Sequence, residues 1–218
     1  FEVFLLVAFL QRRFSTVPVR TPSTAELPSV AVVVPCYNES QTVESTLRSL
    51  LALDYPADKL EIIAVDDGSK AGSAPIAANA GAEVLCLSPN RGKGQAMRRA
   101  LEYVDTPWVG FFDADLYGFR PDHVDRFFEG AEAGYDMICG FRDRGRWINT
   151  LEYVAPIITG ERMMRREILD AIPESCWDGY KIETGMNATV DRLGGRTLLF
   201  VMDGVVMRLK SSKFGFWR

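Results

Sequence analysis

From Val30 onward, short apolar runs rich in β-branched residues alternate with stretches whose apolar residues recur at helical spacing. Val30 to Val34 reads as a first strand. Val43, Leu47, Leu50 and Leu51 then stand at the i, i+4, i+7 and i+8 positions of a core-facing stripe. They predict a helix that opens at Glu39 or Ser40 and stops at Tyr55-Pro56. The same alternation predicts strands over Glu61 to Val65, Glu83 to Leu87 and Trp108 to Phe112, with helices over Ala74 to Ala80 and Gly94 to Val104 between them. A helix over Pro121 to Ala133, with proline in its first turn, leads to a β element over Asp136 to Phe141. Beyond that the pattern loosens into an Arg/Gly-rich loop, helices over Arg165 to Ala171 and Ile182 to Leu193, and a last strand over Arg196 to Met202. Repeated βαβ units of this kind predict an α/β fold with a largely parallel sheet. Internal repeats are not evident.

The ends read differently. Phe1 to Leu10 is almost wholly apolar and runs into Gln11-Arg12-Arg13, but about 20 apolar residues are needed to cross a bilayer. A truncated membrane helix, an interfacial anchor and a helix docked on the domain all fit this run. Ser15 to Ser29, with three prolines and several Ser/Thr, reads as a linker. The first residue is not Met and the chain stops within Phe214-Gly215-Phe216-Trp217-Arg218, so both ends are expected to be cut from a longer protein. The aromatic ending beside Lys210 and Lys213 suits either a membrane interface or packing on a sheet edge.

Composition narrows the choice of function. With 218 residues, 47% hydrophobic and 25% charged, the chain supports one sizeable core and excludes disorder, collagen and coiled coil. A net charge of −4 argues against a general nucleic-acid binder. The charge is uneven: residues 1–140 hold 12 basic against 19 acidic side chains, and residues 141–218 hold 13 against 10. This predicts a cation-holding first part and an anion-tolerant last part. Cys36, Cys86, Cys139 and Cys176 are widely spaced, and the single imidazole is His123, so a structural zinc site is not expected and the thiols are expected to be reduced. His123 reads as a packing or surface residue.

Open α/β sheets bind ligands outside the carboxyl ends of their strands, and here each strand end is polar. Asp113-Ala114-Asp115 follows the fourth strand; two carboxylates at this spacing can converge on Mg²⁺ or Mn²⁺ bridging to a diphosphate, or simply form a solvated turn. Asp66-Asp67-Gly68-Ser69 can accept hydrogen bonds from a nucleobase or ribose, or serve as turn chemistry. Asn90-Arg91-Gly92-Lys93-Gly94 offers two cations beside a helix start, suited to phosphate, but it matches neither a P-loop nor a dinucleotide fingerprint.

These segments, together with Val34-Pro35-Cys36-Tyr37-Asn38-Glu39, resemble in order and spacing the family-2 glycosyltransferases of GT-A fold, over roughly Val30 to Leu199. The resemblance implies an α/β fold with a Rossmann-like nucleotide-binding half, a mixed sheet and helices on both faces. It implies an N-terminal segment and linker over 1–29 and one domain over 30–218, divided into a donor half (30–115) and an acceptor-binding part (116–218). It also implies a UDP- or GDP-linked sugar donor. Pro35, Tyr37, Asn38, Glu39, Asp66 and Asp67 would surround base and ribose, Lys93 would lie near the nucleotide with Ala114, and Asp113 and Asp115 would hold the metal.

Thr159 to Glu167 resembles the family's acceptor-side segment, and Gly179 to Thr184 resembles a motif that commonly ends in Glu-Asp, with the Asp as base. Thr184 stands at that Asp position, and Glu183 beside it then serves either as the base or only to orient a neighbour. A phosphate oxygen needs no base, so the departure also suits transfer to a polyprenyl or other lipid phosphate held by Arg162, Arg165 and Arg166. That reading resembles the dolichol-phosphate mannose synthase-like branch and implies a protein at the cytoplasmic face of a membrane. Gly160-Glu161-Arg162 and Gly179 to Glu183 also resemble glucosyl-3-phosphoglycerate synthase-like enzymes, which use a small soluble phosphorylated acid; Met207 stands where those carry a metal-holding histidine. A nucleotide-sugar-binding module without catalysis and a nucleotidyltransferase are the alternatives from other classes.

Overall fold

The computed structural model describes residues 27–70, 72–143 and 159–207. The apolar segment Phe1 to Leu10, most of the linker and the aromatic ending lie outside the described residues. In chain order the first half comprises β1 (Val30–Cys36), α1 (Val43–Leu51), β2 (Leu60–Asp67), α2 (Ser73–Asn79), β3 (Glu83–Leu87), α3 (Lys93–Leu101), β4 (Trp108–Phe111) and β5 (Leu116–Tyr117). The second half comprises α4 (Pro121–Glu132), β6 (Met137–Arg142), β7 (Arg162–Arg165), α5 (Arg166–Asp170), α6 (Ile182–Arg192), β8 (Thr197–Met202) and β9 (Val206–Met207).

The described residues form a seven-stranded sheet in the order β3-β2-β1-β4-β7-β6-β8, beside a small β5-β9 pair. β1 pairs in parallel with β2 and β4, β2 with β3, and β6 with β8. Only β7 opposes its neighbours β4 and β6. Val30, Val32 and Val34 of β1 face a core shared with Leu47, Leu50, Phe112, Phe127 and Ile138. Ala31 and Val33 face a second core with Ala96, Met97, Phe111, Met164, Trp177 and Met186. Burial on both faces explains why β1 reads as an unbroken apolar run.

The expected elements are present with small shifts. α1 begins at Val43 because the N–H groups of Thr42 and Val43 both donate to Glu39 O, making a turn of the residues expected to open the helix. The expected largely parallel, mixed sheet is observed, with β7 as its one reversed strand, while the strand expected to be last is followed by β9. Since β7 runs the other way, its first residue Arg162 lies beside Phe111, at the carboxyl end of β4, and beside Cys139 in the middle of β6. The start of β7 thus reaches the same edge of the sheet as the polar loops after β1, β2, β3 and β4.

Candidate active site

At that edge the loop after β1 is stitched to the loop after β2. Asn38, in the left-handed region at φ 57°, donates its N–H to Ser69 Oγ (2.8 Å) and accepts from the Lys70 N–H (2.9 Å). Glu39 N–H donates to Ser73 Oγ at 2.9 Å, and its carboxylate accepts from Thr42 Oγ1 at 3.1 Å. Pro35 stands in register with Val65 at the end of β1, and Tyr37 projects as an exposed ring. Burial, together with Asp66 and Glu39, pushes the Cys36 thiol up to about 12; it remains protonated, and all four described cysteines are free.

The two acids after β2 have local duties. Asp66 Oδ1 accepts from the Ser69 N–H at 2.9 Å. Asp67 turns inward, and its oxygens accept from the N–H groups of Arg91 (3.0 Å) and Gly92 (2.8 Å), so it clamps the loop that leads into α3. That clamp fixes the position of Lys93, the first residue of α3. A Cβ on Gly94 would lie 2.2 Å from the Trp177 carbonyl oxygen, so the start of α3 touches the segment before α6 through bare backbone.

A charged cluster lies where these elements meet. Lys93 Nζ lies 2.7 Å from Asp113 Oδ1 and 3.1 Å from Glu183 Oε1. Arg142, at the end of β6, lies 3.2 Å from Glu161 Oε1 and 3.6 Å from Asp113 Oδ2. Asp115 is buried just before β5 and acts on Arg142 electrostatically. Burial alone would lower the Lys93 ammonium, but Asp113, Glu183 and Glu161 outweigh it and hold it above its usual value. Arg142 is likewise raised by Glu161, Asp113 and Asp115 against burial.

Glu161 is fully buried, and burial followed by Asp113 raises its carboxyl above the ordinary range despite Arg142 and Thr159. Thr159 Oγ1 lies 2.6 Å from Glu161 Oε2 and 2.7 Å from Gly140 O. One hydroxyl hydrogen can serve only one of these two acceptors at a time. Glu183 is 5% exposed; its Oε1 faces Lys93, and its Oε2 has no hydrogen-bond partner among the described residues. Thr184 is exposed.

The three arginines expected to hold an acceptor are not brought together. Arg162 is fully buried, with its guanidinium donating to Thr159 O (2.9 Å), Glu183 O (3.2 Å) and Asn187 Oδ1 (3.0 Å). It ties the start of β7 to the start of α6 and so positions Glu183. Arg165 pairs with Asp136 and stacks on Trp108, the first residue of β4, which puts it at the opposite end of the sheet from Asp113. Arg166 is there too, donating to Asp170 and to Val104 O. His123 packs on Phe119, and its Nδ1 accepts from the Arg120 N–H, so it caps the start of α4.

Sequence reasoning passed over Arg142 and gave no role to Glu161, Thr159 or Gly160. A Cβ on Gly160 would lie 2.4 Å from Asp113 Oδ2, so this glycine makes room for the carboxylate. The Gly160-Glu161-Arg162 triplet is visible as a motif in the sequence, but its burial is not.

The donor set suits a hard divalent cation. Four carboxyl groups (Asp113, Asp115, Glu161, Glu183) gather with two cations (Lys93, Arg142), which leaves an acidic surplus. No group of three metal-ligating side chains is formed among the described residues. Two carboxylates completed by phosphate oxygens and water is the way Mg²⁺ is commonly held, and Asp113 and Asp115 would be those two.

The sequence profile of glycosyl transferase family 2 matches residues 31–192. The chain belongs to this family. Among family-2 relatives, it is 35% identical over 116 residues to the undecaprenyl-phosphate 4-deoxy-4-formamido-L-arabinose transferase of Edwardsiella ictaluri, covering 50% of this chain and 35% of that protein. It is 37% identical over 94 residues to the poly-beta-1,6-N-acetyl-D-glucosamine synthase of Staphylococcus aureus, covering 41% of this chain and 22% of that protein. The chain therefore spans well under half the length of these curated relatives. Among solved structures it superposes on glucosyl-3-phosphoglycerate synthase of Mycobacterium tuberculosis, determined with Mn²⁺, uridine diphosphate and glucosyl-3-phosphoglycerate. The TM-score is 0.72 at 26% identity, covering 89% of this chain and 79% of that one. The α/β GT-A fold of family 2 is thus the fold observed. Among the described residues no helix is long and apolar enough to cross a membrane.

Proposed function

We propose that the protein transfers a sugar from a UDP- or GDP-linked donor to a phosphate-bearing acceptor, with Mg²⁺ or Mn²⁺ at Asp113 and Asp115. The observation that carries this reading is the meeting of Asp113, Lys93 and Glu183 at the edge where the loops after β1, β2 and β3 also end. When bound, the cation would supply Lewis-acid neutralisation of the leaving diphosphate. The loop from Pro35 to Glu39 is held open by Ser69 and Ser73, and with Asp66, Asp67 and Ala114 it would form the wall for base and ribose. Residues 30–115 would serve the donor and residues 116–218 the acceptor.

In the transfer an acceptor oxygen bonds to the anomeric carbon, the bond from that carbon to the diphosphate breaks, and its electron pair departs with the nucleoside diphosphate. A phosphate oxygen attacks as an anion without a base. For an acceptor hydroxyl, Glu183 Oε2 is the free carboxylate position able to take the proton. Arg142 replaces the three arginines as the cation beside the acceptor side of Asp113.

Two acceptor sources share this chemistry. A lipid phosphate, and with it a place at the cytoplasmic face of a membrane, is supported by the relative named as an undecaprenyl-phosphate transferase and by the apolar run from Phe1 to Leu10. A small phosphorylated acid is supported by the more extensive match to glucosyl-3-phosphoglycerate synthase. The test is a screen of labelled UDP- and GDP-sugars with Mn²⁺ against undecaprenyl phosphate and 3-phosphoglycerate, using Asp115→Ala as control. Transfer to either acceptor that Asp115→Ala abolishes at unchanged fold supports the reading. Binding without turnover, pyrophosphate release from a nucleoside triphosphate, or full activity in Asp115→Ala overturns it.

A further inference from the structure

We propose that Lys93 is an internal stand-in cation: in the donor-free protein its ammonium occupies the Asp113 carboxylate, and it gives up that place when a divalent ion and a nucleoside diphosphate arrive together. The inference rests on the reading of Asp113 and Asp115 as the metal-holding pair and goes beyond it, to how metal and donor are made to depend on each other.

Three observations carry it. The ammonium is 2.7 Å from Asp113 Oδ1, within charge-assisted hydrogen-bond distance, so a second cation reaching that oxygen must displace it. Asp113 and Asp115 are two carboxylates where a hard divalent ion wants about six oxygens, and no third ligand group joins them among the described residues. Metal alone therefore meets an incomplete site with one of its two carboxylates already neutralised. Finally, the ammonium has somewhere to go. Glu183 Oε1 holds it from the other side at 3.1 Å, and the Lys93 backbone is fixed by the Asp67 clamp and by Gly94 against the Trp177 carbonyl. Rotation of the side chain alone can then carry the charge from Asp113 to a diphosphate.

Binding of the two ligands is coupled as a result. The diphosphate draws Lys93 away and exposes Asp113, while the metal expels Lys93 and makes it available to phosphate. By linkage each must tighten the other by the same factor.

The experiment is Mn²⁺ titration of the whole chain by electron paramagnetic resonance, with and without UDP, on the wild type and on Lys93→Met, Lys93→Gln and Lys93→Arg. Circular dichroism melts would establish that each variant is folded, and two neutral variants guard against failure of one to fold. Freed from competition at the strength of a charged hydrogen bond, Mn²⁺ alone should bind Lys93→Met and Lys93→Gln about tenfold more tightly than wild type. The tightening of Mn²⁺ binding by UDP should shrink by a similar factor, and Lys93→Arg should stay close to wild type. Unchanged or weaker Mn²⁺ binding in both neutral variants, with UDP coupling intact in the wild type, overturns the stand-in role and leaves the donor site standing. Absence of any Mn²⁺-dependent UDP binding in the wild type overturns the donor reading as well.

Discussion

Gly160→Ala isolates the geometry of Asp113 from its chemistry. The new Cβ would sit 2.4 Å from Asp113 Oδ2 and 2.6 Å from both Cγ and Oδ1, against ordinary contact that begins at 3.4 Å. The carboxylate must withdraw by about 1 Å, because Gly160 is buried and the backbone on either side is held by the Thr159 and Arg162 hydrogen bonds. Gly160 is not among the positive-φ glycines, so alanine adds no backbone strain there. Withdrawal pulls Oδ1 off the 2.7 Å contact with Lys93 and moves the metal-facing oxygens. A displacement of about 1 Å at a reacting centre costs on the order of 10²-fold, or about 2.7 kcal/mol. The assay is Mn²⁺-dependent sugar transfer, or donor hydrolysis without acceptor, followed as kcat/KM beside a thermal melt. A loss near 10²-fold with a melting temperature within a few degrees of wild type is expected. Full activity would show that Asp113 has room to relax, or that its position does not matter, and would refute the reasoning.

Two other outcomes follow from buried groups. Arg162→Met leaves Thr159 O, Glu183 O and Asn187 Oδ1 without their guanidinium partner. At about 1 to 3 kcal/mol for each orphaned buried acceptor, the loss should exceed about 3 kcal/mol and lower the melting temperature by roughly 10 °C or more; a shift under about 2 °C would show Arg162 to be dispensable to the fold. Burial, reinforced by Arg120, holds the His123 imidazole below its ordinary value of 6.5. The folded state thus binds fewer protons than the unfolded one, and stability present above pH 6.5 drains away as pH falls through the folded value. Melts at stepped pH should show His123→Gln less stable than wild type near pH 7.5, with the gap narrowing on acidification; a constant gap would dismiss the titration.

The donor half was legible because β1, β2 and β4 are largely buried and so spell apolar runs, while each loop after its strands carries Gly, Asn or Asp. β7 was not. Arg162-Met163-Met164-Arg165 is short, lacks β-branched residues and is bracketed by cations, so it read as a loop leading into a helix. From that misreading came the expectation that Arg162, Arg165 and Arg166 together hold an acceptor phosphate. Arginine in a loop is ordinarily solvated, and only the tertiary partners Asp136, Glu183 and Asn187 turn these side chains into struts. Arg142 was hidden for a related reason. It ends a strand just where an Arg/Gly-rich stretch begins, and no periodicity separates a site cation there from its neighbours.

The bare meeting of Gly94 with the Trp177 carbonyl sets a distance elsewhere. Any other side chain at residue 94 would drive a wedge between helix α3 and the segment ahead of α6, parting Lys93 from Glu183 before either was itself altered. The spacing of these two opposite charges is therefore written into the main chain, held by the single hydrogen atom that residue 94 carries in place of a side chain.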